Sequence, residues 1–186
     1  AVFAERGFRA TTMDQLAADT AISKATIYKL FRTKEDLILA VLRLEDERFR
    51  EWLFRQIKHD EESPQMQLHG ILHSVCDWFY RPESSGALFI RAAAEYPDPD
   101  GPIHRQCVEH RWLLFDGIRR IAVAAEAPYP EKLAHKLVLV IDGALYAAHL
   151  GLIRGLSNDA SSAAESVLHT GFIRIRTFDD LTGLGP

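Results

Sequence analysis

Between Thr12 and Lys34 the chain carries hydroxyls, a phenol and three lysines at spacings that let a pair of short helices present them together. Thr12 to Asp19 reads as one helix, Thr20-Ala21-Ile22-Ser23 as a turn, and Lys24 to Phe31 as a second helix. Met13, Leu16 and Ala17 give the first helix an apolar face, and Ile27, Leu30 and Phe31 are expected to turn inward from the second. Lys24, Ala25, Tyr28 and Lys29 then face the other way. This is the layout of a helix-turn-helix, in which one helix crosses the DNA backbone and the next enters the major groove. The chemistry on offer is hydrogen bonding to phosphates and to base edges. The plainer alternative is an amphipathic helix pair whose lysine face is simply solvated.

The elements that must position these groups are marked by their caps. Thr12 followed by Gln15 is a capping box, which starts a helix near Met13. Ser23 is placed to cap the next helix. Thr33 followed by Asp36 is a second capping box, and it opens a third helix at Lys34.

The run resembles the N-terminal domain of the TetR/AcrR-type regulator family over about residues 3 to 45. The resemblance is carried by Gly7-Phe8-Arg9-Ala10-Thr11-Thr12, Leu16-Ala17, Ile22-Ser23-Lys24-Ala25-Thr26-Ile27-Tyr28, Phe31 and Lys34-Glu35-Asp36-Leu37. It implies an all-α chain with a three-helix DNA-binding head at residues 1–45 and a helical bundle for effector binding and dimerisation at 46–186. It also implies a repressor that binds a palindromic DNA operator as a homodimer and is released by a small-molecule effector, with no cofactor. Thr12 and Lys34 would meet phosphate at helix N-termini, where free N–H groups and the dipole favour an anion. Thr26 and Tyr28 would hydrogen-bond phosphate from the recognition helix that Ser23 caps. Lys24 has the reach for guanine acceptors, Ala25 offers a methyl to thymine, and Lys29 suits either task. Two departures stand out. Ala21 and Ala25 occupy positions where that family often has glycine, so the turn must manage without a residue tolerant of left-handed backbone or use another geometry. Lys29 stands where many members carry an aromatic residue or histidine, which leaves base preference open.

Charge agrees with a DNA-binding end. The 186 residues carry a net charge of −4, but residues 1–34 hold six Lys/Arg against three Asp/Glu, whereas residues 59–186 hold eleven against seventeen. A basic head on an acidic body can bind a duplex with one end only. A chain of this length can bury roughly 70% of its unfolded surface, which suits a small head joined to one larger domain. Cys76 and Cys107 are too few for a disulfide scaffold, so a reducing cytoplasm is expected. Neither a membrane span nor a signal peptide is legible. Ala1 to Arg6 reads as the last turns of a helix whose beginning is absent, so the first head helix is expected to be truncated.

Past the head, Pro and Gly clusters divide the chain into helices expected at Lys34 to about Ile57, Gln65–Tyr80, Ala87–Glu95, Ile103–Ala125, Glu131–Gly155 and Ala160–Phe178. The first of these would bury Leu37, Ala40, Val41, Leu44 and Ile57. The segment 131–155 is apolar on two sides, one of them formed by Leu139, Gly143, Tyr146, Ala147 and Leu150. That stripe, with Val167, Leu168, Gly171 and Phe172 of the last helix, is the expected dimer interface; the competing reading is that both faces are monomer core. Effector-binding candidates are Phe79, Phe89, Cys107, His110, Arg111, Phe115, Asp142, Tyr146 and His149, with Trp78, Tyr96 and Trp112 as further aromatics. Asp142, Tyr146 and His149 share one side and either orient a ligand or hydrogen-bond across a dimer.

Two other functions stay open. His69, His73 and Asp77 share a helix face at a spacing that could hold a divalent metal, and His104-Cys107-His110 is a looser grouping, so a metal-responsive regulator of the same fold is the alternative. An enzyme or scaffold with a vestigial head is the third reading, although the chain has no glycine-rich phosphate loop, paired-Cys motif or nucleophile elbow.

Overall fold

Caps and prolines place the helices of the computed structural model, which describes residues 2–60, 63–79, 88–152 and 154–173. Among the described residues there is no strand, and the helices are α1 (Val2–Arg6), α2 (Met13–Thr20), α3 (Lys24–Leu30), α4 (Lys34–Asp60), α5 (Pro64–Phe79), α6 (Leu88–Glu95), α7 (Pro102–Ala124), α8 (Pro130–His149) and α9 (Leu156–Gly171). The chain is all-α, as expected. α5, α7 and α8 each begin at a proline, one residue before the expected start. Proline lacks an N–H that the first turn would not bond, and its fixed φ suits that position. α8 ends at His149 rather than Gly155, because Gly151 and Gly155 adopt φ of +77° and +78° and turn the chain into α9 four residues earlier than expected.

Two apolar cores meet along α4. In the body, Leu53 and Ile57 of α4 pack with Leu68 and Ile71 of α5, Leu114 and Ile118 of α7, Leu133, Leu137 and Ile141 of α8, and Leu168 of α9. Each such side chain contributes about 1.5–3 kcal/mol when fully buried. α4 and α7 approach closely: a Cβ on Gly117 would lie 2.1 Å from Cζ of Phe54. In the head, Phe3, Phe8, Met13, Leu16 and Ile27 pack on Ile38 and Leu42 of α4. The same cluster includes Leu88 and Ala92 of α6 and Ile103 and Cys107 of α7. α4 therefore runs unbroken through the expected boundary at residue 45, and the head's core is shared with the body. Its buried stripe is Ile38, Leu42, Phe49, Leu53 and Ile57; Leu44, expected inside, is 46% exposed, because that stripe and not the 37–40–44 row faces the bundle.

A polar group sits in this stripe. Asp46 is buried, its Oδ1 within 2.7 Å of His110 Nδ1 on α7, and both of its oxygens accept from Arg50, at 2.9 and 2.7 Å. Burial pushes the Asp46 pKa up, but hydrogen bonds from His110 and Arg50, with their charges, outweigh it and hold the pKa at about 2. A depressed carboxylate stabilises the fold above its unfolded pKa and loses that contribution as pH falls through the folded value. We therefore expect about 2 kcal/mol of unfolding free energy to disappear between about pH 4 and pH 2. Urea titrations across that range should show the loss, and Asp46→Asn should flatten it.

Candidate functional site

The outer end of the molecule is α2, the turn and α3. The expected capping box is formed: Thr12 Oγ1 accepts from the Gln15 N–H at 3.2 Å, and the Thr12 N–H donates to Gln15 Oε1 at 2.8 Å. Ser23 Oγ caps α3 by accepting from the Thr26 N–H at 3.1 Å, and the two hydroxyl oxygens stand 2.7 Å apart. Thr33 and Asp36 exchange the same reciprocal bonds at 3.1 and 2.9 Å and open α4. Ala21 resolves the missing glycine by entering the left-handed region itself, at φ 56° and ψ 22°. Only Ile27 of α3 is buried, while Ala25, Tyr28 and Lys29 stand exposed on it.

Three expectations change in detail. Leu30, expected to turn inward, is 71% exposed. α3 stops at Leu30 and Phe31 turns extended, so Phe31 is the residue that half-buries, and Leu30 is left on the rim of an apolar groove of about 260 Å³ beside Ile22, Phe3 and Val41. Lys24 is paired: its Nζ lies 2.6 Å from Asp14 Oδ1, a bond that raises the lysine pKa. Lys34 donates from Nζ to the Arg9 carbonyl oxygen at 3.1 Å, and burial lowers its pKa. That ammonium joins the start of α4 to the loop before α2, besides lying at a helix N-terminus.

The head is fastened to α6. The N–H groups of Phe8 and Arg9 donate to the two Glu95 carboxylate oxygens at 3.0 and 2.5 Å. Arg91 Nη1 donates to the Ala4 carbonyl oxygen at 2.6 Å, at the end of α1. Tyr96 packs edge-on against Phe8, and the Arg9 guanidinium lies 5.3 Å above the Tyr96 ring. Tyr96, a sequence candidate for a cavity aromatic, is thus part of the joint. Nothing in the local pattern marks Glu95 or Arg91 for this role.

On its other side α6 helps to enclose a cavity of about 590 Å³ between α4, α6, α7 and α8. Phe89, Cys107, His110, Arg111, Phe115, Asp142 and Tyr146 all line it, as does Trp112. His149 is exposed and does not, because α8 is finishing there; the side chains of Phe79 and Trp78 lie outside the described residues. Lining residues that sequence reasoning missed include Glu45, Phe49, His104, His135, Val138 and Leu145. His104 stands out only as a metal candidate, and for the others no sequence signal points to a cavity, since α4 and the inner face of α8 read only as core. Phe89 stacks on His110 with ring centres 3.7 Å apart, and Phe115 on His135 at 4.2 Å. Asp142 bonds Arg111 within the chain. Burial raises the Asp142 pKa against the opposing pull of Arg111, and burial lowers that of Arg111. Cys107 is pushed up to about 11 by burial.

The remaining candidates fall on two surfaces. Leu139, Tyr146 and Leu150 are 68, 56 and 56% exposed along one line of α8, Ala147 is half-buried, and a Cβ on Gly143 would touch nothing. On α9, Leu168 is buried, and a Cβ on Gly171 would lie 2.6 Å from Leu133, so both belong to the core of this chain rather than to an outer face. Val167 and Phe172 pack partly buried against the same core. For metals, His69 and His73 are exposed and the Asp77 side chain lies outside the described residues. His104 Nδ1 faces the Tyr96 carbonyl oxygen and His110 Nδ1 faces Asp46. Among the described residues no three His, Cys, Asp or Glu side chains are grouped to hold a metal ion. No described helix is long and apolar enough to cross a membrane.

Comparison with known proteins gives the same frame. A family model described as "Bacterial regulatory proteins, tetR family" matches residues 1–41. The HTH-type transcriptional regulator YjdC of Escherichia coli is 24% identical over 178 residues, covering 95% of this chain and 92% of that protein. QacR of Staphylococcus aureus, another HTH-type transcriptional regulator, is 30% identical over 80 residues, 42% of this chain and 43% of its own length. Among solved structures, SCO4454, a TetR-family transcriptional regulator from Streptomyces coelicolor, superposes with a TM-score of 0.84 at 28% identity, over 92% of this chain and 90% of that one.

The Ala21 backbone sets a test of the turn. A left-handed alanine costs about 1 kcal/mol relative to glycine. Ala21→Gly is expected to slow hydrogen exchange of the α2 and α3 amides by the equivalent of roughly 1 kcal/mol, and faster exchange would contradict the geometry.

Proposed function

Taking as premise a TetR-type helix-turn-helix head on an all-α body, we propose that this chain is a ligand-responsive transcriptional repressor that binds a palindromic operator as a homodimer. The observation that carries the reading is the outward face of α3. A helix capped at Ser23 holds Ala25, Tyr28 and Lys29 clear of the core, with Lys24 beside them and the N-termini of α2 and α4 nearby. Ala25 and Lys24 would read base edges; Thr12, Thr26, Tyr28 and Lys34 would position the head on phosphates. Lys24 must exchange Asp14 for DNA, a small cost for an exposed ion pair. Ser23 contributes as the cap that orients α3.

The exposed line Leu139, Gly143 and Tyr146 of α8, continued by Leu150 just past its end, supports association through α8, with Ala147 at its margin and Val167 and Phe172 partly buried against the body core. Two heads one DNA turn apart, or a multiple of it, would then read two half-sites. The gating element is α6. Phe89, Ile90 and Ala93 wall the cavity, while Arg91 and Glu95 on the same two turns hold the head. A ligand that moves this helix would move the heads, and need only favour a spacing that mismatches the operator. A reducing cytoplasm is the proposed setting. The ring-lined cavity is what favours an organic effector over metal control.

Three measurements test the proposal. Against its selected operator, the protein should show log K falling with log salt at a slope between about −4 and −7, for about four to eight cationic phosphate contacts. Lys24→Ala should relax base preference at one position by about 1–3 kcal/mol; a slope near zero, or no preference over random duplex, would refute groove binding. Separately, Leu139→Glu should yield monomers in sedimentation and weaken operator binding at least about tenfold, since one head then meets one half-site. Dimers that persist in this variant would exclude α8 as the interface.

A further inference from the structure

The cavity's polar inventory restricts what it can hold. Most of its wall is ring and aliphatic surface, with Phe49, Phe89, Trp112, Phe115 and Tyr146 among the lining. At about 590 Å³ it falls in the range of sites for drug-sized molecules. Trp112 and Tyr146 line it while 59 and 56% exposed, which puts rings at its mouth. One polar group stands out. Arg111 donates from Nη2 to Asp142, whereas its Nη1 is buried with no acceptor. A buried guanidinium nitrogen without a partner forfeits its hydration with nothing in return. Nη1 is closed to water as well, so only a turn of the guanidinium toward the cavity would bring it an acceptor.

Resting on the effector reading above, we propose that the ligand is a mostly apolar, ring-bearing molecule with one anionic oxygen group, and that Arg111 binds this group in competition with Asp142. The two carboxylates in the wall do not reverse this choice. Asp142 already neutralises Arg111, and its carboxylate is partly exposed, so it can take water in place of Arg111 when an anion arrives. Glu45 of α4 also lines the cavity. A lipophilic cation would have to enter beside the guanidinium, whose charge persists at neutral pH. Phe89 stacked on His110 gives the ligand's rings a wall to displace or extend, and Phe89 belongs to the helix that holds the head. Arg111 is thus assigned the anchoring role, and the rings supply the remaining contact.

The test uses two fluorescent probes with the same aromatic framework, anilinonaphthalene sulfonate, which is anionic, and N-phenylnaphthylamine, which is neutral. Titrated into the full chain at pH 7, both should bind. Arg111→Met should weaken the sulfonate at least about tenfold and change the neutral probe less than about twofold, since a charge-assisted bond is lost only for the anion. Asp142→Asn, which removes the competitor, should leave sulfonate binding as tight or tighter, and Arg111→Lys should restore part of it. If Arg111→Met shifts both probes alike or neither, or if Asp142→Asn weakens the sulfonate as much as Arg111→Met does, the ion pair is only a brace and the proposal is overturned. Ala93→Phe, which fills the cavity, separates the two levels. If it leaves both probes bound as before, the cavity is not a ligand site and the effector reading falls with the proposal. If it blocks both while Arg111→Met affects neither, the cavity stands and only the anion assignment is lost.

Discussion

Two backbone N–H groups after α1 have to be satisfied, and the partner they find is the carboxylate of a residue on α6. Gly7 makes this possible. Its φ of +86° bends the chain so that Phe8 and Arg9 present their N–H groups side by side, and a Cβ there would lie 2.7 Å from Glu95 Oε1. Thr11 Oγ1 then donates to the Gly7 carbonyl oxygen at 2.6 Å, which ties the loop down in the buried interior. With Arg91 on the end of α1 and Lys34 on the Arg9 carbonyl oxygen, the head's orientation is set by charge-assisted bonds rather than by apolar contact alone. Such bonds are directional, so a small displacement of α6 breaks or reorients them instead of sliding along them. The proposed gating depends on that property.

α6 has eight residues and serves two environments. Leu88 and Ala92 are buried in the head core, Phe89, Ile90 and Ala93 line the cavity, and Arg91 and Glu95 reach the head backbone. α7 also touches both, with Ile103 and Cys107 in the head core and Cys107 on the cavity wall, but that link is apolar contact. α4 also spans both, but it is fixed to α7 by the buried Asp46–His110–Arg50 cluster and by the close approach of Gly117 to Phe54. In the proposed gating the long helix is therefore the frame and the short one the movable part. His110 links them, since it bonds Asp46 of the frame and stacks on Phe89 of α6.

The proposed recognition surface is satisfied internally before any DNA arrives. Ser23 and Thr26 face each other's hydroxyls, Lys24 holds Asp14, and Arg6 holds Asp19 at 2.9 Å. These exposed pairs are weak in water and easily exchanged. Lys24 joins α3 to α2 and Arg6 joins α1 to α2, while Tyr28 and Lys29 stay exposed on the surface. The acidic excess in residues 59–186 leaves the basic end as the part of the molecule attractive to a polyanion.

Much of the head was legible in the sequence because its signals are local. Three caps, the turn and the outward set of α3 all follow from residues within four positions of one another, and hydrogen bonds at that range form wherever the helix forms. The all-α class and most helix limits were legible for the same reason, with prolines read one residue too cautiously. The cavity was partly legible: the polar residues of α7 and α8 stood out against apolar neighbours, whereas Phe49, His135 and Leu145 looked like core. Glu95, Arg91 and the fate of Lys34 were not legible, since each meets a partner twenty-five or more positions away. Sequence order thus determined which helices exist and what chemistry the head presents. Tertiary packing decided which carboxylate receives the head, which face of α8 stays open and which arginine lacks an acceptor, because each depends on helices brought together by apolar burial, a force without direction or memory of position along the chain.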